Sequence, residues 1–245
     1  LGSESAVPRE ILFIADDFGL SDEVNEAVIH AHLQGVLDGA ALMMGQPGTE
    51  AAVALAKEQP SLQVGWHLHL ADSQPCTLAD WPWGSSPARA GFALGFSARM
   101  RGLARREIRY QWDAFRDTGL TCRFANAHHH LHIHPFVRKT MFETLATDFD
   151  GWVRWGKLQF FGGTRRRLGY RVLDTLLQAP YRKDPPFRLS STLWGVDRTF
   201  NMNAREVEAV RAGLGDGLHE FMFHPRRLGS DPDTACLMDL KIPQA

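Results

Sequence analysis

Short apolar runs alternate with amphipathic stretches along this chain, and polar, chemistry-bearing residues stand at the ends of the runs; this order narrows the fold more than any other feature. Residues 11–15 (ILFIA) form a continuous run, the pattern of a strand buried on both faces of a parallel sheet. Ser21 predicts the start of a helix, with Asp22 and Glu23 in its first turn, Val24, Ala27, Val28 and Ala31 as its stripe, and Gly35 as its stop. Residues 40–44 read as a second strand and 49–57 as a second helix. In residues 64–70, Val64, Trp66, Leu68 and Leu70 face one way, and Gly65, His67 and His69 the other. A helix is expected over 100–117, strands over 122–126 and 152–155, and Pro135 in the first turn of another helix. Asn203 with Glu206 resembles a capping box opening a helix to Ala212, and 218–223 is a late strand. Such alternation implies a parallel sheet, open or closed into a barrel.

A chain of 245 residues suits one α/β domain of this kind better than two small ones. With 44% hydrophobic and 22% charged residues it has the composition of a folded globule, which excludes a disordered chain. A net charge of -1 argues against a general nucleic-acid binder. No run of apolar residues is long enough for a transmembrane helix. Residues 1–10 lack a signal layout and read as a flexible N-terminal segment or an added remnant, leaving 11–245 as the domain. Cys76, Cys122 and Cys236 are isolated and odd in number, which fits a reducing compartment and a cytoplasmic location. Residues 74–96, rich in Pro, Gly, Ser and Trp, are expected to form a lid-like loop.

Asp16 and Asp17 follow the first strand, His67 lies in the third, His128 follows the fourth and His224 the last. In parallel α/β folds these strand ends converge on one face, where ligands bind. Each piece also has a plainer reading. Two adjacent aspartates often cap a helix, and one strand histidine is often a core hydrogen-bonder. Five imidazoles within residues 128–134 are harder to explain by packing. If that tract were extended, His128, His130, His132 and His134 would share one side. Two histidines and one carboxylate can hold a metal with positions left open. A second carboxylate can then act as general base, and a later histidine can protonate a leaving group.

The motifs 15–21 (ADDFGLS) with Val24-Asn25, 64–70 (VGWHLHL), 126–135 (NAHHHLHIHP) and 223–225 (FHP) resemble those of the YdjC-like carbohydrate deacetylases. They occur in that family's order and span nearly the whole chain. Asn126-Ala127, where chitooligosaccharide deacetylases usually carry Asp-Ser, resembles the hopanoid-biosynthesis-associated branch. The resemblance implies a distorted (β/α) TIM-like barrel and removal of the N-acetyl group from an amino sugar. It implies that Asp17, His67 and His128 hold one divalent metal, magnesium or zinc, with Asp16 as base and His224 as acid. The expected substrate is an N-acetylglucosaminyl glycolipid, the alternatives being a chitooligosaccharide or a non-enzymatic role in metal binding.

Two arginine-rich stretches bear on that substrate: Arg99, Arg101, Arg105, Arg106 and Arg109, and Arg165, Arg166, Arg167 and Arg171. Their plain reading is a solvated basic face. Their sharper reading is peripheral contact with anionic lipid headgroups, at the inner membrane. Trp81, Trp83 and Phe92 are candidates either to stack on sugar rings or to anchor the lid.

Overall fold

In the computed structural model, which describes residues 8–161 and 186–241, every strand pairing is parallel. The strands are β1 (Glu10–Phe18), β2 (Gly39–Leu42), β3 (Gln63–Leu68), β4 (Phe124–Ala127), β5 (Trp152–Val153), β6 (Lys157–Leu158), β7 (Arg188–Leu189), β8 (Thr192–Trp194) and β9 (Leu218–Phe223). Their hydrogen-bonded order is β6-β8-β9-β1-β2-β3-β4-β5-β7. The two ends of that order belong together, because β5 and β6 lie on one stretch of chain and β7 and β8 on another. Ser190 N donates to Val153 O (3.1 Å), Lys157 N to Ser191 O (3.0 Å) and Gln159 N to Leu193 O (2.8 Å). The sheet therefore curls back on itself as a distorted (β/α) barrel. At the irregularity between β5 and β6, the Ser190 hydroxyl accepts the amides of Trp155 (3.0 Å) and Gly156 (2.9 Å). A Cβ at Gly156 would stand 2.5 Å from the Thr192 backbone, so only glycine lets the two stretches approach here.

Helices α1 (Asp22–Leu33), α2 (Thr49–Glu58), α3 (Pro87–Phe96), α4 (Ala98–Asp117), α5 (Pro135–Leu145), α6 (Ala204–Ala212) and α7 (Pro232–Asp239) connect the strands or flank them. Ser21 caps α1 by accepting from Val24 N, as its position predicts, and Gly35 beyond the helix is left-handed (φ 73°). Asn203 caps α6, but Glu206 does not reach back to complete a box; its carboxylate holds Arg198 at 2.8 Å. The span expected as an irregular lid contains α3, which Pro87 opens. Among the described residues, no helix is long and apolar enough to cross a membrane.

The period-2 alternation sorts side chains between the barrel interior and the helical layer. Phe13, Ala15, Leu42, Val64, Trp66, Leu68, Ala125, Val153, Phe221 and Phe223 belong to the large core that the helices cover. Leu12, Ile14, Ala41, Phe124, Trp152 and Leu218 form a separate apolar cluster. In it Phe124 stacks on Trp152, ring centres 5.0 Å apart. Burying one such ring contributes roughly 1.5–3 kcal/mol. One step further along the same strands, the same inward positions become Asp16, His67, Asn126, Arg154 and Glu220, all buried. An apolar floor thus closes one end of the barrel, and a polar layer stands on it toward the strands' carboxyl ends.

Candidate active site

Adjacent strand residues point to opposite faces, yet Asp16 and Asp17 both reach the site. The reason is a register shift in β1 between Ala15 and Phe18, with Asp17 in the left-handed region (φ 67°). Asn25 braces the turn that follows: its oxygen accepts from Gly19 N (2.8 Å) and its amide donates to Gly48 O (2.9 Å).

Asp17 Oδ1 lies 3.3 Å from His67 Nε2 and 2.9 Å from His128 Nδ1, and the three side chains are buried. Candidate ligand atoms of all three fall within 4.8 Å of one another. Asp17 Oδ1 and His67 Nε2 are sealed from solvent without completing a hydrogen bond. Leaving such atoms unpaired costs about 1–3 kcal/mol each. A carboxylate and two imidazoles aimed at one point are also a donor set suited to a divalent cation. His67 is oriented for that purpose: its Nδ1 donates to Asn126 Oδ1 at 2.6 Å, which leaves the Nε2 lone pair facing Asp17. Burial opposes the His67 imidazolium, but Asp16 and Asp17 outweigh it and raise its pKa.

Asp16 is held apart from this trio by other partners. Arg154 grips it with two nitrogens, at 2.5 and 2.8 Å, and Asn126 Nδ2 donates to it at 3.1 Å. Burial alone would raise the Asp16 pKa, but Arg154 and His67 reverse this and hold it well below the usual carboxylate range. Arg154 is fully buried and bridges Asp16 to Glu220, whose oxygen lies 2.7 Å from its Nε. Burial pushes Glu220 up to about 7, with Arg154 opposing.

His224 Nε2 stands 3.9 Å from Asp16 Oδ2. Asp233 fixes His224 by accepting its backbone N–H at 2.7 Å and lying 4.0 Å from Nδ1. Burial lowers the His224 pKa, against the pull of Asp17, Asp16 and Asp233. All five residues singled out from sequence, Asp16, Asp17, His67, His128 and His224, therefore come together at the carboxyl ends of β1, β3, β4 and β9.

Of the other histidines, His130 and His132 lie near enough for Arg154, Asp16 and His67 to act on their charge, and burial lowers both pKa values, His130 to about 3. The tract is not extended: residues 128–133 form a 3-10 turn in which His129 (φ 52°) and His130 (φ 54°) are left-handed. Its side chains take different partners, and Asp72, His128 and His129 make a second, more exposed set whose ligand atoms lie within 4.8 Å of one another. His129 pairs with Asp72 at 3.2 Å, His132 packs on Trp155 and His134 faces α3. His69 leaves the face of His67 because β3 ends at Leu68; it lies between Met44 O (2.8 Å) and Ser73 Oγ (2.9 Å). Burial brings its pKa down to about 4, so it is a neutral brace for the loop.

Trp81 and Trp83 anchor that loop. They stack on each other and donate to Ser73 O and Leu70 O, both at 2.6 Å, while Phe92 is exposed. The second arginine stretch, Arg165 to Arg171, lies outside the described residues. Arg154, Glu220 and Asp233 are the functional neighbours that the motif reading passed over, and Asn126, quoted there for its bearing on the substrate, instead joins His67 to Asp16.

The family model described as YdjC-like protein matches residues 10–239. A carbohydrate deacetylase from Geobacillus stearothermophilus is 40% identical over 136 residues, 54% of each chain. One from Brevibacillus brevis is 36% identical over 171 residues, covering 68% of this chain and 66% of its own. Several of the curated relatives are matched over only about half of their length, as with the Vibrio cholerae deacetylase at 54%. Among solved structures, a protein from Enterococcus faecalis V583 named for cellobiose-phosphate cleavage shares the fold, with a TM-score of 0.60. It is 15% identical in sequence and is matched over 96% of this chain and 85% of its own.

Proposed function

Because the chain belongs to the YdjC-like protein family, we propose that it is a divalent-metal-dependent hydrolase that removes the acetyl group from an N-acetylated amino sugar. The observation carrying this reading is the pair of adjacent carboxylates with unlike surroundings: Asp17 faces two imidazoles, and Asp16 faces an arginine and an amide. Asp17, His67 and His128 would hold the ion. When bound, it supplies Lewis-acid polarisation of the acetyl carbonyl and acidifies the attacking water. Asp16, kept ionised and immobile by Arg154 and Asn126, takes the water's proton. His224, oriented by Asp233, delivers a proton to the departing amine nitrogen. Lodged between two carboxylates, His224 is well placed to stabilise a transient positive charge.

For the substrate we propose an N-acetylglucosaminyl glycolipid rather than a soluble chitooligosaccharide. Support for this comes from the exposed face of α3 and α4 described below. Asn126 no longer bears on it, since this side chain is buried between His67 and Asp16, and Trp81 and Trp83 are committed to the loop. A purely metal-storing role for the histidine tract loses ground, because only His128 of the tract belongs to the fully buried set with Asp17 and His67. Acetate release is the test. It is expected from an N-acetylglucosaminyl lipid and, with lower kcat/KM in matched detergent, from diacetylchitobiose, with chelation abolishing both. Equal or better turnover of the disaccharide removes the lipid reading; no acetate from either removes the deacetylase.

Asn126→Asp probes the wiring between the two carboxylates. The substitution keeps an acceptor for His67 but turns the donor facing Asp16 into a second anion. Like charges at this distance share a proton and raise one carboxylate pKa strongly, by about a unit or more. The acidic limb of the pH–rate profile should therefore move upward in pH while metal content stays full. An unmoved limb would show that Asn126 does not govern the base.

A further inference from the structure

We propose that the outer face of α3 and the first half of α4 is a docking surface for anionic lipid bilayers. Phe92 and Phe96, one helical turn apart on α3, are 71% and 79% exposed, with ring centres 4.8 Å apart. Large aromatic side chains this open, side by side on one helix, are uncommon on a free soluble surface.

The arginines of α4 divide into two groups. Arg101 serves the fold by donating to Leu94 O (3.2 Å) and Gly95 O (3.0 Å) at the end of α3, and Arg105 pairs with Glu143 at 2.9 Å. Arg99, Arg106 and Arg109 are exposed and spaced along one side of α4, and among the described residues no carboxylate pairs with them. Two exposed aromatic side chains on α3 and unneutralised guanidinium groups on the exposed side of the next helix, α4, suit an interface that is apolar within and negative at its surface.

A second copy of the chain fits less well. A two-fold contact through Phe92 and Phe96 would bring each copy's unpaired arginines toward the other's. The inner side of α3 faces the chain that leaves β4: Gly91 and Gly95 face the ring of His134, the residue after the 128–133 turn.

This inference deepens the glycolipid reading but is measured without turnover, so the two fail separately. The experiment is flotation of the full chain with phosphatidylcholine vesicles, with and without phosphatidylglycerol, at low and high salt. Three proteins are compared: the parent, Phe92→Ser with Phe96→Ser, and Arg99→Glu with Arg106→Glu. These side chains are exposed, and matching Tm values will establish that the variants fold. The parent should bind anionic vesicles in a salt-sensitive manner and neutral ones weakly. Each double variant should lose about tenfold or more in partitioning while retaining acetate release from diacetylchitobiose. Absence of vesicle binding by the parent, equal binding by the variants, or indifference to lipid charge would overturn the proposal. So would a concentration-dependent dimer that the phenylalanine substitutions dissolve.

Discussion

An Asp16→Asn variant is expected to lose about 10²- to 10⁴-fold in turnover and also to unfold more readily than the parent. The first effect follows from the proposed proton transfer, because an amide of the same shape cannot accept the water's proton. The second follows from Arg154. That guanidinium is fully buried, and Asp16 is one of the two carboxylates it holds. Removing one partner of a buried pair typically costs about 3–5 kcal/mol, since the remaining charge is left uncompensated. Metal content should remain near that of the parent, because Asp16 is not among the proposed ligands. The stability loss has a defined pH dependence. Burial works against the Asp16 charge, but Arg154 and His67 hold its folded pKa below the ordinary 3.8. Its contribution is thus fully present above that ordinary value and fades only as pH falls through the folded one. The gap in urea midpoint between parent and variant should be wide at neutral pH and narrow in strong acid. Wild-type turnover with a full metal complement would remove Asp16 as the base. An unchanged midpoint would show that Glu220 alone suffices for Arg154.

How far the sequence revealed this arrangement depends on the kind of signal. Continuous apolar runs and cap residues placed β1, β9 and the start of α1 well, because burial on both faces and Ser21 capping are local effects. His67 was legible from strand alternation, and its neighbour His69 was not, because where β3 stops is decided by packing under Trp81 and by the hydrogen bond to Met44. The histidine tract misled for a related reason. Alternation assumes extended backbone, and left-handed residues at 129 and 130 break it.

The functional neighbours that motifs passed over do carry a signal. Arg154 sits inside a tryptophan-flanked run, residues 152–155, and Glu220 inside residues 218–223, LHEFMF. A single charge within a doubly buried strand must find an opposite charge indoors, and the two strands offer each other that partner. The same argument reaches Asp16, which stands at the end of an otherwise apolar strand. What sequence could not supply is the angular order of the barrel, which places Arg154 between these two carboxylates.

Removal of Asp17 is expected to have the largest effect on metal retention. Three protein ligands are few, and loss of one should take the chain from about one tightly held divalent ion to almost none after dialysis. The choice of substitution matters, because residue 17 is left-handed (φ 67°), where alanine is strained and asparagine is tolerated. Asp17→Asn therefore separates loss of the charged ligand from loss of the bend in β1. His129→Asn is the matched control, since residue 129 is likewise left-handed (φ 52°). It removes an imidazole adjacent to His128 that pairs with Asp72 instead of Asp17, and it should keep the ion. Acidification should mimic Asp17→Asn in the parent. Metal can bind His67 only when its Nε2 is free of a proton, and the nearby carboxylates raise its pKa in the metal-free chain. Affinity should then climb with pH to above the ordinary histidine range before it levels, with proton release on binding that calorimetry in two buffers can count. A full ion complement in Asp17→Asn, or its loss in His129→Asn, would move the centre away from Asp17, His67 and His128 toward the Asp72–His129 side of the site.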